Sequence, residues 1–90
     1  MSINIYKEEN LETIKYLCDE DWDLPTQMGE LEKWLNKEGR KLPKGKYVAD
    51  IGFGIRENAS GGGAVLGSEM INILSEIGME IYFSEYKNEE

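Results

Sequence analysis

Four carboxylates, Asp19, Asp21, Asp23 and Glu30, fall at positions 1, 3, 5 and 12 of a twelve-residue stretch, the spacing with which an EF-hand loop presents oxygen ligands to calcium. Such a loop turns sharply at its sixth position and takes glycine there. Here that position is Leu24, whose Cβ and following Pro25 favour extended backbone. The chain also has no second loop of this kind for the first to pair with. The stretch therefore reads as a solvated acidic connection, with a metal- or ligand-responsive module kept as the alternative, and neither a metal ligand set nor a cofactor is expected.

Other chemical signatures are incomplete. Gly52-x-Gly54-x-x-Glu57 starts like a dinucleotide fingerprint, but Glu57 replaces the third glycine and the first two lie inside a strand pattern instead of opening a helix. Gly61-Gly62-Gly63 lacks the Lys-Ser/Thr ending of a phosphate loop, and Glu57 and Glu69 nearby would repel phosphate. The chain contains no histidine and one thiol, Cys18, so the usual base for nucleophilic catalysis near neutral pH is missing. These absences point away from an enzyme.

Recognition is the chemistry better served by these residues. Asp19, Glu20, Asp21, Trp22 and Asp23 set one large aromatic among four carboxylates, which would join desolvated contact area to steering toward a basic site. The competing reading buries Trp22 in the core and leaves the acids solvated. A second patch is expected on the outward side of the last strand, where Glu80, Tyr82, Ser84 and Tyr86 alternate, beside Asp50 and Arg56 if those strands pair. If that strand is a sheet edge, its free backbone groups would allow a homodimer or a partner strand to add to it.

Ninety residues make one domain with a thin core, burying about 60 to 65% of the unfolded surface. The net charge of −8 opposes binding to nucleic acid or to an anionic membrane, and a basic protein is the natural complement. The charge is uneven. Residues 1–32 carry nine carboxylates against two lysines, whereas Lys33, Lys37, Arg40, Lys41, Lys44 and Lys46 form a basic island with only Glu38 among them. Because a lone cysteine cannot close an internal disulfide and no stretch has the apolar length of a leader or membrane span, a cytoplasmic location is expected.

The elements that must position these residues follow from periodicity. Ile3 to Tyr6 alternates as an opening strand. Asn10 would cap a helix with Leu11, Ile14, Leu17 and Cys18 along one stripe, and Thr26 a second helix with Met28, Leu31, Trp34 and Leu35 inward, ending at Gly39 or Pro43. From Tyr47 to Arg56 the alternation predicts a strand with Tyr47, Ala49, Ile51 and Phe53 on one face, and Val48, Asp50, Gly52 and Gly54 on the other. The loop Glu57 to Gly63 suits a hairpin that returns through Ala64 to Leu66. Ser68 then caps a third helix with Met70, Ile71, Leu74 and Ile77 inward, Gly78 stops it, and Met79 to Tyr86 closes the chain as a strand. The order β-α-α-β-β-α-β predicts an α+β fold: a small, mostly antiparallel sheet with about three helices on one face.

The stretch from Trp22 through GSEMINILSEIGMEIYFSEY, with Glu69, Ile77, Gly78, Glu80, Ile81 and Tyr86 in place, resembles an uncharacterised family of small bacterial α+β proteins. That family closes on a helix, an Ile-Gly-x-Glu turn and an aromatic strand ending in tyrosine. The resemblance implies a fold and brings no catalytic residues with it. Together these readings lead to the expectation of an acidic protein-binding module, of the immunity-protein or phage-inhibitor type, that masks a basic target such as a nuclease. Asp19, Glu20, Asp21, Trp22, Asp23, Tyr82 and Tyr86 would be its contact residues.

Overall fold

The computed structural model describes residues 2–55 and 63–87. Within them the chain runs β1 (Ile3–Lys7), β2 (Thr13–Leu17), α1 (Leu24–Lys37), a short 3-10 turn (Gly39–Lys41), β3 (Tyr47–Gly54), α2 (Ser68–Ile77) and β4 (Met79–Tyr86). The strands form one sheet in the order β2-β1-β3-β4, antiparallel across β2-β1-β3 and parallel between β3 and β4. The fold is α+β: among the described residues there are two α-helices in place of the expected three, the order is β-β-α-β-α-β in place of β-α-α-β-β-α-β, and the mostly antiparallel sheet is made mixed by one parallel pair.

The first correction concerns residues 10–18, a strand in a hairpin where a helix is expected. Thr13, Ile14 and Tyr16 are β-branched or aromatic and fit a pleated surface. Leu11 and Cys18, at the two ends of the expected helix, have φ of 59° and 55°, which no run of helix accommodates. Asn10 does cap something, but it is the hairpin turn, where its Oδ1 accepts from the Glu12 N–H at 3.0 Å. The pairing Ile5 to Lys15 steps to Tyr6 with Thr13, so Ile14 is the extra residue of a bulge and packs on the core from there. That bulge breaks the two-residue alternation by which β2 would have been read as a strand.

The second correction lies between β3 and β4. Ala64 to Leu66 does not return along β3 as a strand. The chain instead passes over the sheet through α2, and β4 enters parallel to β3 with Tyr47 beside Met79 and Gly54 beside Tyr86. Arg56 and most of the expected glycine-rich loop lie outside the described residues. The α2 and β4 boundaries otherwise agree with the periodicity, and Gly78 ends α2 in the left-handed conformation at φ 86°. A Cβ at Gly78 would run into the Gly45 carbonyl, so the position excludes every other residue on two grounds. Ser68 is the first helical residue rather than the cap, which is Gly67, and Ile73 replaces Ile71 in the buried stripe.

The core lies on one face of the sheet. Ile3, Ile5, Tyr47, Ala49, Ile51 and Met79 project toward Met28, Leu31, Trp34 and Leu35 of α1 and Met70, Ile73, Leu74 and Ile77 of α2. Among the described residues no helix packs on the other face. Val48, on that uncovered side, is nonetheless buried. Its cross-strand neighbours are Tyr6 on β1 and Glu80 on β4, with Tyr82 diagonal to it opposite Asp50.

Candidate functional site

The acidic connection is held to the sheet by its backbone. Beyond the start of β1, β3 keeps β4 on one side but has no strand on the other, and the connection takes that place. The Gly54 N–H donates to the Trp22 carbonyl at 3.0 Å and the Gly52 N–H to the Ser2 carbonyl at 2.7 Å. The Ser2 hydroxyl lies within 2.6 Å of the Cys18 carbonyl and 2.7 Å of the Asp21 carbonyl. Gln27, fully buried on α1, uses both amide hydrogens on the same join, donating to Asp21 O at 3.0 Å and to Gly52 O at 2.7 Å. A buried amide donating to two carbonyls is worth far more than a surface contact, because losing it would strand both acceptors away from water. Sequence reasoning missed Gln27, whose only signal is a polar residue one position before the apolar stripe of α1.

This anchoring separates the four acids by task. Asp23 caps α1: its Oδ2 accepts from the Thr26 N–H at 3.3 Å and from the Thr26 hydroxyl at 2.8 Å. The helix therefore starts at Leu24, with Pro25 in its first turn, and the expected cap at Thr26 is displaced by three residues. Asp21 accepts the Asp23 N–H through Oδ1 at 3.1 Å. Asp19 and Glu20 stay exposed and make no such bond among the described residues. Glu30 sits two turns into α1 against Lys33 at 3.4 Å, so the twelve-residue spacing does not close into a loop around a common centre. Among the described residues, no group of three acidic or sulfur ligands converges as a metal would need.

Trp22 leaves the core and joins the last strand. Its ring stands edge-on to Tyr86 with centroids 5.7 Å apart, and the two rings remain 43% and 54% exposed. Both rings lie over Gly52, where a Cβ would meet Tyr86 at 2.8 Å and Trp22 at 3.0 Å. The bare position on the outer face is thus filled from within the chain. Asp50 lies one step down the same face, its Oδ1 accepting the Ser84 hydroxyl at 2.7 Å, with Asn4 opposite it on β1 and Tyr82 opposite it on β4. Tyr6 completes the face. Its phenol is pushed above the ordinary 10.0 first by burial and then by the charges of Asp50, Tyr82 and Glu8.

Ser2, Asn4, Trp22, Asp50, Gly52 and Tyr86 line a shallow recess of about 170 Å³. Against models of protein families, curated proteins and solved structures, the chain matches nothing. The site is therefore read on its own chemistry. Of the residues expected to form a contact surface, the fold brings Trp22 and Tyr86 together, sets Tyr82 beside Asp50 on the same sheet face, leaves Asp19 and Glu20 exposed, and assigns Asp21 and Asp23 to local hydrogen bonds. The recess adds Asp50, Asn4 and Ser2.

The basic island lies at the other end of β3. Lys44, Lys46, Lys7 and Glu9, with Gly45 and Tyr47, line an open cleft of about 340 Å³ there, and Lys37 closes the last turn of α1, where a cation complements the helix dipole. The Trp22 and Tyr86 pair lies toward the other end of β3, over Gly52. Cys18 is half-buried, and burial, followed by the charges of Glu30, Asp21 and Asp19, pushes its thiol above 9.0. That shift makes it a poor nucleophile. Among the described residues no helix is long and apolar enough to cross a membrane.

Proposed function

We propose that this chain is a protein-binding module that engages a basic protein and masks its basic surface, in the manner of an immunity protein or a phage-encoded inhibitor of a nuclease. The observation that carries the reading is the sheet face without a helix among the described residues, where Trp22 and Tyr86 meet edge to face and line a recess with Asp50, while Asp19 and Glu20, close in sequence to Trp22, are exposed. Two exposed rings held by neighbours lose little entropy on docking, and a surrounding negative field accelerates encounter with a cationic partner. The net charge of −8 disfavours a nucleic-acid ligand on the same surface.

Capture from the native cell with the wild-type chain, with a Trp22→Ala, Tyr86→Ala variant and with Glu76→Gln on the helical side measures the proposal. Basic proteins retained by the wild type and by the helix variant, and released by the aromatic variant, are the expected set. Should all three baits hold the same proteins, or should the proteins lost be acidic, the proposed surface is wrong. Charge reversal of Asp19 and Glu20 should then slow association with the recovered partner and flatten its salt dependence, because these two carboxylates have no structural task.

A further inference from the structure

We infer that the recess between β1, β3 and the Trp22 loop is a receptor for one guanidinium group, so that an arginine side chain of the basic partner is the anchor of the complex. The inference rests on the reading of the chain as a binder of basic proteins and names what that binder grips.

Three observations converge on it. The first is a carboxylate with no ion pair among the described residues. Asp50 is partly buried in the face, takes one hydrogen bond from a neutral hydroxyl, and enters neither of the ion pairs found among the described residues, Lys7–Glu12 and Lys33–Glu30. A carboxylate drawn out of water without a cation is costly for the free protein, and an incoming cation recovers that cost. The second is the wall. Trp22 and Tyr86, arranged edge to face, turn aromatic surface toward a cavity that also holds that carboxylate, and cations are drawn to ring faces, most strongly to indole. The third is shape: a recess of about 170 Å³ is too small for a cofactor-sized ligand and of the order of one side-chain tip. Between the two cationic side chains, arginine matches better. Its planar fork can meet a carboxylate through two N–H groups while its flat surface stacks on a ring, whereas the ammonium of lysine is a compact, strongly hydrated point.

The neighbours support the same geometry. Asn4, directly across the register from Asp50, adds an amide to the rim, and Ser84 holds the carboxylate from the other side. Gly52 lies beneath both rings and lines the recess, and any side chain there would collide with them.

Titration with Nα-acetyl-arginine methylamide, followed through the Trp22 indole N–H and the Asp50 and Gly52 amides by nuclear magnetic resonance, tests this directly. Saturable shifts with a roughly millimolar midpoint are expected, weakened at least ten-fold by Asp50→Asn and by Trp22→Leu, and absent with the neutral citrulline analogue. Asp50→Asn keeps the acceptor for Ser84, so its spectrum should stay dispersed; Trp22→Leu provides an independent check. Equal response to the citrulline analogue, an unchanged midpoint in Asp50→Asn, or a tighter response to Nα-acetyl-lysine methylamide would each overturn the inference. If Asp50→Asn fails the arginine titration yet captures the same basic proteins as the wild type, the recess is not the anchor and the proposed function survives without it. Loss of capture in the aromatic variant together with no arginine response would likewise sink the receptor alone.

Discussion

The two faces of the sheet are built from alternate residues of the same strands and do opposite things. On the helical side Ile3, Ile5, Ala49 and Ile51 disappear under α1 and α2 into a continuous apolar core. On the other side Asn4, Tyr6, Asp50 and Gly52 alternate with them and, among the described residues, carry no helix, with Tyr82, Ser84, Tyr86 and Trp22 beside them. The first face makes the fold stable and the second leaves a surface for something else to meet. A strand with period two can serve both purposes only if each residue type stays on its own side, which the register between β1 and β3 enforces.

The strongest way to break that division is to damage the helical side. Leu31 is fully buried between α1 and the sheet, and Leu31→Ala should cost about 2 to 5 kcal/mol in chemical denaturation, without altering arginine binding in the fraction that stays folded. A smaller effect is expected where the two faces are joined. Gln27→Met keeps the volume but strands the Asp21 and Gly52 carbonyls, and should cost about 1 to 3 kcal/mol while loosening the Trp22 loop, visible as faster amide exchange at Gly54. Unchanged exchange there would mean that the loop is held by other contacts.

On the open face the effects shrink in stability and grow in chemistry. Gly52→Ala should destabilise by roughly 1 kcal/mol and displace the Trp22 indole resonance, since the new methyl must move both rings. Tyr6 gives the subtlest test. Its folded pKa lies above the unfolded 10.0, so the native state holds the phenolic proton more tightly; the associated stability is complete below 10.0 and is lost as pH rises from there through the folded value. Asp50→Asn removes the second of the causes and leaves burial, the first, so the Tyr6 titration should move partway back toward 10.0. A Tyr6 curve identical in both proteins would place the Asp50 charge elsewhere.

How far the sequence announces this molecule differs between its two halves for a physical reason. From Ser68 to Tyr86 a helix period, a glycine stop and a strand period follow one another without overlap, and α2 and β4 lie where those periods place them. The N-terminal hairpin was illegible because Leu11, Ile14, Leu17 and Cys18 repeat at helical spacing by coincidence, while the bulge at Ile14 erases the strand alternation that would have competed. The parallel entry of β4 was hidden by a glycine run that suits a hairpin equally well. At the candidate site, Trp22, Tyr82 and Tyr86 were visible as exposed aromatics, and the exposure of Gly52 and Asp50 on one strand face could be read from alternation. That Trp22 and Tyr86, sixty-four positions apart, meet over Gly52 is a property of the parallel register and not of any local pattern.

In the proposed function, the open sheet face receives a basic partner through Trp22, Tyr86 and Asp50. Mapping amide shifts on adding an arginine-rich peptide at about 0.15 M salt, where long-range attraction is screened to about 8 Å, measures it most directly. Shifts concentrated at Asn4, Trp22, Asp50, Gly52, Tyr82 and Tyr86, with α2 silent, are the predicted result. Shifts centred on Ile71 and Glu76 of α2, or spread evenly over every carboxylate, would contradict it.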